Sequence, residues 1–303
     1  MVVYSICWRG IYMETWLLDG ENGSLPIPEG FTFWSSPRPE SAEMVQQGGG
    51  LAVLFRTGTP ITWCRELSST ECMVLDLPTL TIVLVYLPPP ASPWLQSVAM
   101  DPLQFLSGVL GIWALLLKPL LLLGDCNAHT ASLSSLPSIL PRYSVDPKSD
   151  TRGRWLVDEC QANNLAILNG SSYDSSRQSD ADDGWTSFQP NGRAVVDYAA
   201  ISVSVLHMLR EFSVMNWSAW SDHAFLSLSL TSPSAGPVMP TWQRLRLPHP
   251  QKLRVSPFIA LPSLDNLPPE LCGPPSTLDL RALWPCPLGG MPSHCLGLWG
   301  VSS

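Results

Sequence analysis

Apolar positions along the first 230 residues fall into short runs separated by polar turns, and the runs do not share one period. Gly50–Arg56, Thr81–Leu87, Leu120–Gly124, Ala194–Ile201 and His223–Leu230 are rich in β-branched residues or leucine and predict strands. Asp150–Leu165 follows a helical spacing instead. Leu156, Cys160, Trp155 and Val157 supply its apolar face, and Asp150 or Thr151 can cap it. Asn169-Gly170 then predicts a turn. Alternation of strand-like and helix-like segments is the pattern of an α/β or α+β domain.

One apolar run, Phe105 to Leu123, is long enough to span a bilayer. Lys118-Pro119 divides it, because proline cannot continue a helix, into a helix-like part and a short strand-like part. Each part suits a buried core, so no membrane span is expected.

Beyond Leu230 the pattern is lost. Fourteen of the 30 prolines fall in residues 231–303, and Pro268-Pro269 and Pro274-Pro275 favour extended backbone. The chain is therefore read as a domain over 1–230 followed by a proline-rich tail over 231–303, a linker or disordered segment.

Charge and cysteine usage narrow the function classes. Lys+Arg 17 against Asp+Glu 25 gives a formal charge of −8, the wrong sign for gripping a phosphate backbone by bulk electrostatics. A nuclease that works through a bound cation escapes part of that objection, because its carboxylates hold the positive charge locally. The eight cysteines form no C-x-x-C pair and no Cys/His cluster with zinc spacing. The first residues lack a basic region leading into an apolar run, so no secretion signal is expected; an intracellular site of action is, with the nucleus compatible.

Two short segments concentrate candidate chemistry. Leu121-Leu122-Leu123 runs into Gly124-Asp125-Cys126-Asn127, and residues two apart on an extended backbone share a face. Asp125 and Asn127 are thus expected side by side, with Cys126 turned into the core. A carboxylate beside an amide can position a water and a phosphate oxygen. The same residues also suit a plain strand-to-turn junction. The second segment is Ser221-Asp222-His223, where a carboxylate adjoins the histidine; Asp197, following Val195-Val196, is another candidate partner. A carboxylate partner fixes an imidazole tautomer and favours its protonated form.

These fragments occur in a recognisable order. Met13-Glu14-Thr15 resembles a Q-E-T motif, Gly48-Gly49-Gly50-Leu51 a glycine-rich strand, and Tyr86-Leu87-Pro88 a Tyr-x-Pro segment. Gly124-Asp125-Cys126-Asn127-Ala128-His129 resembles G-D-F-N-A-H, and Ser221-Asp222-His223 a closing S-D-H. Between them, Arg152-Gly153, Leu165–Gly170, Thr186-Ser187-Phe188 and Val196-Asp197-Tyr198 fall in matching order. The chain from residue 11 to about 230 resembles the endonuclease/exonuclease/phosphatase superfamily, and within it the endonucleases of non-LTR retrotransposons.

That resemblance implies an α/β fold, a four-layer αββα sandwich of two mixed β-sheets, and a nuclease that nicks DNA with Mg2+, Mn2+ being the alternative ion. It implies Glu14 and Asp222 at the metal, Asp125 activating water, and Asn127 fixing that water and the phosphate. It also implies Tyr86 on the phosphate, Asp197 holding His223, Thr186 behind them, and a reverse transcriptase on the parent polypeptide. The family begins with an Asn-bearing strand about thirty residues before the glutamate. Only thirteen residues precede Glu14, so that first strand and its Asn are expected to be missing. Cys126 replaces the usual Phe. Two rivals follow, an inactive truncated remnant and a superfamily phosphatase acting on a small phosphoester. His129 reads as a loop residue, His207 and the tryptophans as packing, and Asp180–Asp183 as a solvated acidic loop.

Overall fold

A computed structural model describes residues 10–13, 27–37, 50–96, 98, 100–178, 184–215 and 221–231. Glu14, the Gly48-Gly49 part of the glycine run, the acidic loop and the proline-rich tail lie outside the described residues. The chain divides into two compact units. Among the described residues, one holds the chain from Gly10 to Asn127 together with Val196–Tyr198, and the other holds Ala128–Val195 and the chain from Ala199 to Thr231.

In the first unit, β1 (Gly10–Met13), β2 (Phe31–Ser36) and β3 (Leu51–Arg56) form an antiparallel sheet in the order β1-β3-β2. β4 (Thr62–Trp63), β5 (Cys72–Asp76), β6 (Thr81–Tyr86) and β7 (Leu120–Asp125) follow one another across a second sheet. β5 and β6 are an antiparallel hairpin, whereas β6 and β7 run parallel. A parallel pair needs a crossover, and α1 (Pro102–Leu116) lies in that connection. Every residue of β6 is buried, which is why Thr81–Tyr86 reads as a continuous apolar run rather than an alternating one.

The Phe105–Leu123 run resolves as its proline predicted. The Asp101 side chain accepts from the Leu103 amide 2.9 Å away and Pro102 opens the helix, the usual N-terminal chemistry. Leu106, Val109, Leu110 and Trp113 form its buried stripe. Leu117 ends it in the left-handed region at φ 53°. Lys118 then reaches the Asp76 carboxylate at 2.6 Å, and Asp76 also accepts from the Thr81 hydroxyl at 2.7 Å, joining the start of β7 to the β5–β6 turn. Among the described residues no helix is long and apolar enough to cross a membrane.

β7 is followed in its sheet by β11 (Asp197–Ser202), of which Asp197 and Tyr198 belong to the first unit. In the second unit, the remainder of β11 pairs antiparallel with β8 (Leu165–Ile167), Ala200 facing Ile167. The hydrogen-bonded order β4-β5-β6-β7-β11-β8 is thus a six-stranded mixed sheet, and the protein is a mixed α/β fold as expected. The second unit also holds α2 (Thr151–Ala162), the hairpin of β9 (Ser187–Gln189) and β10 (Gly192–Ala194), and the antiparallel pair β12 (Leu209–Val214) and β13 (Leu226–Leu230). Asp150 caps α2, accepting from the Gly153 amide at 2.6 Å.

Two expected strands differ in extent. Ala194–Ile201 is not one strand: β10 ends at Ala194 and β11 begins at Asp197. The reason is where the intervening backbone bonds go. The Val195 amide donates to the Asp146 side chain at 3.1 Å, and the Val196 carbonyl accepts from the Cys126 amide at 2.9 Å. Likewise His223 makes only an isolated bridge to Ser187, and the regular strand starts at Leu226.

Gly124 shows why the sequence motif begins with glycine. Its φ is +153°, and a Cβ there would lie 1.8 Å from the Val85 carbonyl oxygen of the neighbouring strand. Gly192 has φ +145° but open space around it. Gly124→Ala should therefore lower unfolding stability by about 3 kcal/mol or more, and Gly192→Ala by roughly 1–2 kcal/mol. Urea unfolding of both variants checks the difference; equal losses would mean that the β6–β7 approach is not the tight one.

Candidate active site

The ends of β6 and β7 and the start of β11 meet at one rim of the sheet in the first unit. Tyr86 is the last residue of β6 and pairs with Asp125, the last of β7. The Tyr86 amide donates to the Glu71 carbonyl and the Leu87 amide to the Asp125 carbonyl, at 2.9 and 2.8 Å. The Cys126 to Val196 bond then brings Asp197 to the same rim. Tyr86, Asp125 and Asp197 are 3%, 4% and 1% exposed, so two carboxylates are taken out of water here. Their oxygens approach within 4.8 Å.

Asp125 and Asn127 do stand together, but not on an extended backbone. Asn127 adopts the left-handed conformation at φ 43°, which asparagine tolerates better than most side chains. The Asn127 amide donates to the Asp125 Oδ1 at 2.8 Å, an Asx-turn that closes β7. The side chain then folds back. Its Nδ2 donates to the Leu87 carbonyl and to the Asp125 Oδ2, both at 3.0 Å. Both of those partners are acceptors, so the orientation of the amide follows from the network. Its NH2 group is engaged, and its Oδ1 is the atom suited to accept from a water or to face a cation. Cys126 is fully buried, as expected for the residue that replaces an aromatic side chain in the motif.

In the second unit, Ser221-Asp222-His223 runs alongside β9. Phe188 donates to the Asp222 carbonyl at 2.7 Å and Ala224 to the Thr186 carbonyl at 2.8 Å, bracketing the bridge between Ser187 and His223. The Ser221 hydroxyl accepts from the His223 amide at 3.0 Å. His223 is half-buried. Asp222 is exposed, and its Oδ2 accepts from Gln189 at 2.6 Å. Thr186 is fully buried.

His129 is a loop residue with a defined partner: its Nδ1 lies 2.8 Å from the Oδ2 of Asp146, whose side chain is 2% exposed. Nothing in the sequence singles out Asp146, since Asp146-Pro147 reads only as a turn. The thiols are inert in comparison. Burial pushes the Cys160 thiol up to about 12 and that of Cys64 up to about 11, and raises Cys72 further. Burial thus favours the protonated form of all three thiols.

No protein-family model matches the chain, and no curated protein does. Among solved structures, it is similar to the 3′ phosphatase NExo from Neisseria bound to a product DNA hairpin, at 16% identity and a TM-score of 0.49 over 73% of this chain and 88% of that one. It is similar to the endonuclease domain of TRAS1, a telomere-specific non-LTR retrotransposon, at 16% identity and 0.45 over 67% and 80%. A third is the AP endonuclease LMAP from Leishmania major, at 12% identity and 0.48 over 68% and 72%. All three have the endonuclease/exonuclease/phosphatase fold.

Asn127→Ala should cost about 1–2 kcal/mol, the loss of two side-chain bonds to buried acceptors. Asn127→Gly loses the same bonds but suits φ 43°, and should recover about 1 kcal/mol of that. Denaturant midpoints compare the two; identical values would show that the backbone at Asn127 is unstrained.

Proposed function

We propose that the protein is a divalent-metal-dependent phosphodiesterase that nicks DNA, in the manner of the retrotransposon endonucleases its motifs resemble. The observation that carries this reading is the pair of buried carboxylates, Asp125 and Asp197, with oxygens within 4.8 Å and the Asn127 amide bonded to one of them. Two carboxylate oxygens that close to about 4.2 Å or less, the span of two Mg–O bonds of about 2.1 Å, can share one hard cation, and oxygen donors are what Mg2+ or Mn2+ requires. Glu14 and Asp222 enter as further ligands on the motif resemblance. When bound, such an ion polarises a phosphoryl oxygen and stabilises the leaving group.

The protein's own groups supply the rest. Asp125 orients the attacking water and accepts its proton. The Asn127 carbonyl oxygen accepts a hydrogen bond from that water, since its NH2 is held by Leu87 and Asp125. Tyr86 meets the phosphate. His223, as imidazolium, meets the charge that builds on the pentacoordinate phosphorus. The parent polypeptide would carry a reverse transcriptase, as in the elements the motifs resemble.

Supercoiled plasmid incubated with Mg2+ should become nicked, and EDTA should stop it. Asp125→Ala and His223→Ala should each lower the rate by on the order of a hundredfold or more while leaving the far-UV spectrum intact. Full nicking by Asp125→Ala would sink the mechanism; phosphate release from inositol phosphates without nicking would replace it with the phosphatase that the −8 charge suits. Mn2+ at a hundred times its dissociation constant should add about 2.7 kcal/mol of stability, and Asp197→Ala should abolish that increment in thermal melts.

A further inference from the structure

We infer that Asp146 is a positioning residue for the proposed site, holding together the two chain segments that lead to its carboxylates. The inference rests on the phosphodiesterase reading. Asp146 is buried, and its Oδ2 takes two bonds, from the His129 Nδ1 at 2.8 Å and from the Val195 amide at 3.1 Å. His129 comes two residues after Asn127, and Val195 two residues before Asp197. One carboxylate oxygen therefore clamps the chain just downstream of the Asp125-Cys126-Asn127 turn to the chain just upstream of Asp197.

The clamp has little slack on either side. The Asp146 Oδ1 accepts from the Lys148 amide at 2.9 Å, which fixes the carboxylate plane. His129 is held a second time through its backbone, donating to the Asp150 Oδ1 at 3.3 Å while its carbonyl accepts from the Asp150 amide at 3.0 Å. That carbonyl sits against the first turn of α2 so closely that a Cβ on Gly153 would lie 1.8 Å from it. Among the described residues, Asp146 is the partner that holds the ring.

The chemistry demands a carboxylate. Val195 and Lys148 present backbone N–H groups, which can only donate, and an ionised carboxylate only accepts. His129 therefore carries its proton on Nδ1 in this arrangement. An asparagine at 146 would turn its NH2 toward one of these donors, leaving a buried donor unsatisfied. The clamp also explains why the backbone from Ala194 to Asp197 leaves the β ladder, since the Val195 amide is committed to a side chain.

The test uses the full chain with Asp146→Asn, His129→Leu and His129→Asn, the last keeping a donor near the Nδ1 position. In Asp146→Asn, amide exchange should rise at least tenfold for peptides containing 126–130 and 193–197, with the peptide over 72–86 unchanged. Mn2+ affinity, followed by electron paramagnetic resonance, should weaken about tenfold. For nicking, kcat should fall about tenfold or more with KM for plasmid within twofold. His129→Leu should share these changes in the 126–130 segment, Mn2+ affinity and kcat, the double variant should be no worse than Asp146→Asn, and His129→Asn should stay within threefold of the parent. Loosened exchange with unchanged Mn2+ affinity and kcat would reduce Asp146 to a structural anchor and overturn the proposal. If Asp146→Asn loosens every peptide, His129→Leu decides in the same way. A parent chain that binds Mn2+ but does not nick removes the phosphodiesterase reading, and Mn2+ affinity then decides the role of Asp146. A parent that neither binds Mn2+ nor nicks removes both.

Discussion

Two carboxylates held out of water and within 4.8 Å of each other are the constraint around which this protein is arranged. At an effective dielectric near 20, two unit charges at that separation repel by roughly 3 kcal/mol. Each also bears the cost of leaving water unless hydrogen bonds or a cation offset it. Part of the offset is visible at Asp125, which accepts from the backbone and the side chain of Asn127. In the proposed reading, a shared cation adds to that offset.

The strands have to end where they do for the pair to form. β7 runs parallel to β6 because α1 carries the chain back across the sheet, and Gly124 lets the last residues of the two strands approach closely. The Asx-turn at Asn127 stops β7 at the carboxylate, so that Cys126 can bond to Val196 and start β11 with Asp197. Each step is local backbone chemistry. Their sum is a rim at which side chains from well-separated stretches of sequence share one environment.

A chain with a formal charge of −8 cannot draw nucleic acid to itself by bulk attraction. In the proposed reading, positive charge is instead concentrated at one place, by a hard cation held among oxygens. The electrostatic case for a phosphodiester substrate is therefore local, resting on the carboxylates and on the side chains that hold them.

Apolar runs, the break at Lys118-Pro119 and the cap at Asp150 made β3, β6, β7, α1 and α2 legible, because each depends on residues within one turn or one strand of itself. The strands β2, β4, β5 and β12 carry no pattern strong enough to stand alone. Motif spacing also brought Asp125 and Asn127 together, although alternation along a strand was the wrong route and a left-handed turn the right one. Only tertiary structure decided the rest. Asp146 serves His129 and Val195 from a loop that reads as a turn, and Ala194–Ile201 is interrupted because its backbone bonds go to Asp146 and Cys126. Hydrogen bonds between residues that are far apart in sequence leave no period behind them, so they become visible only once the chain has folded.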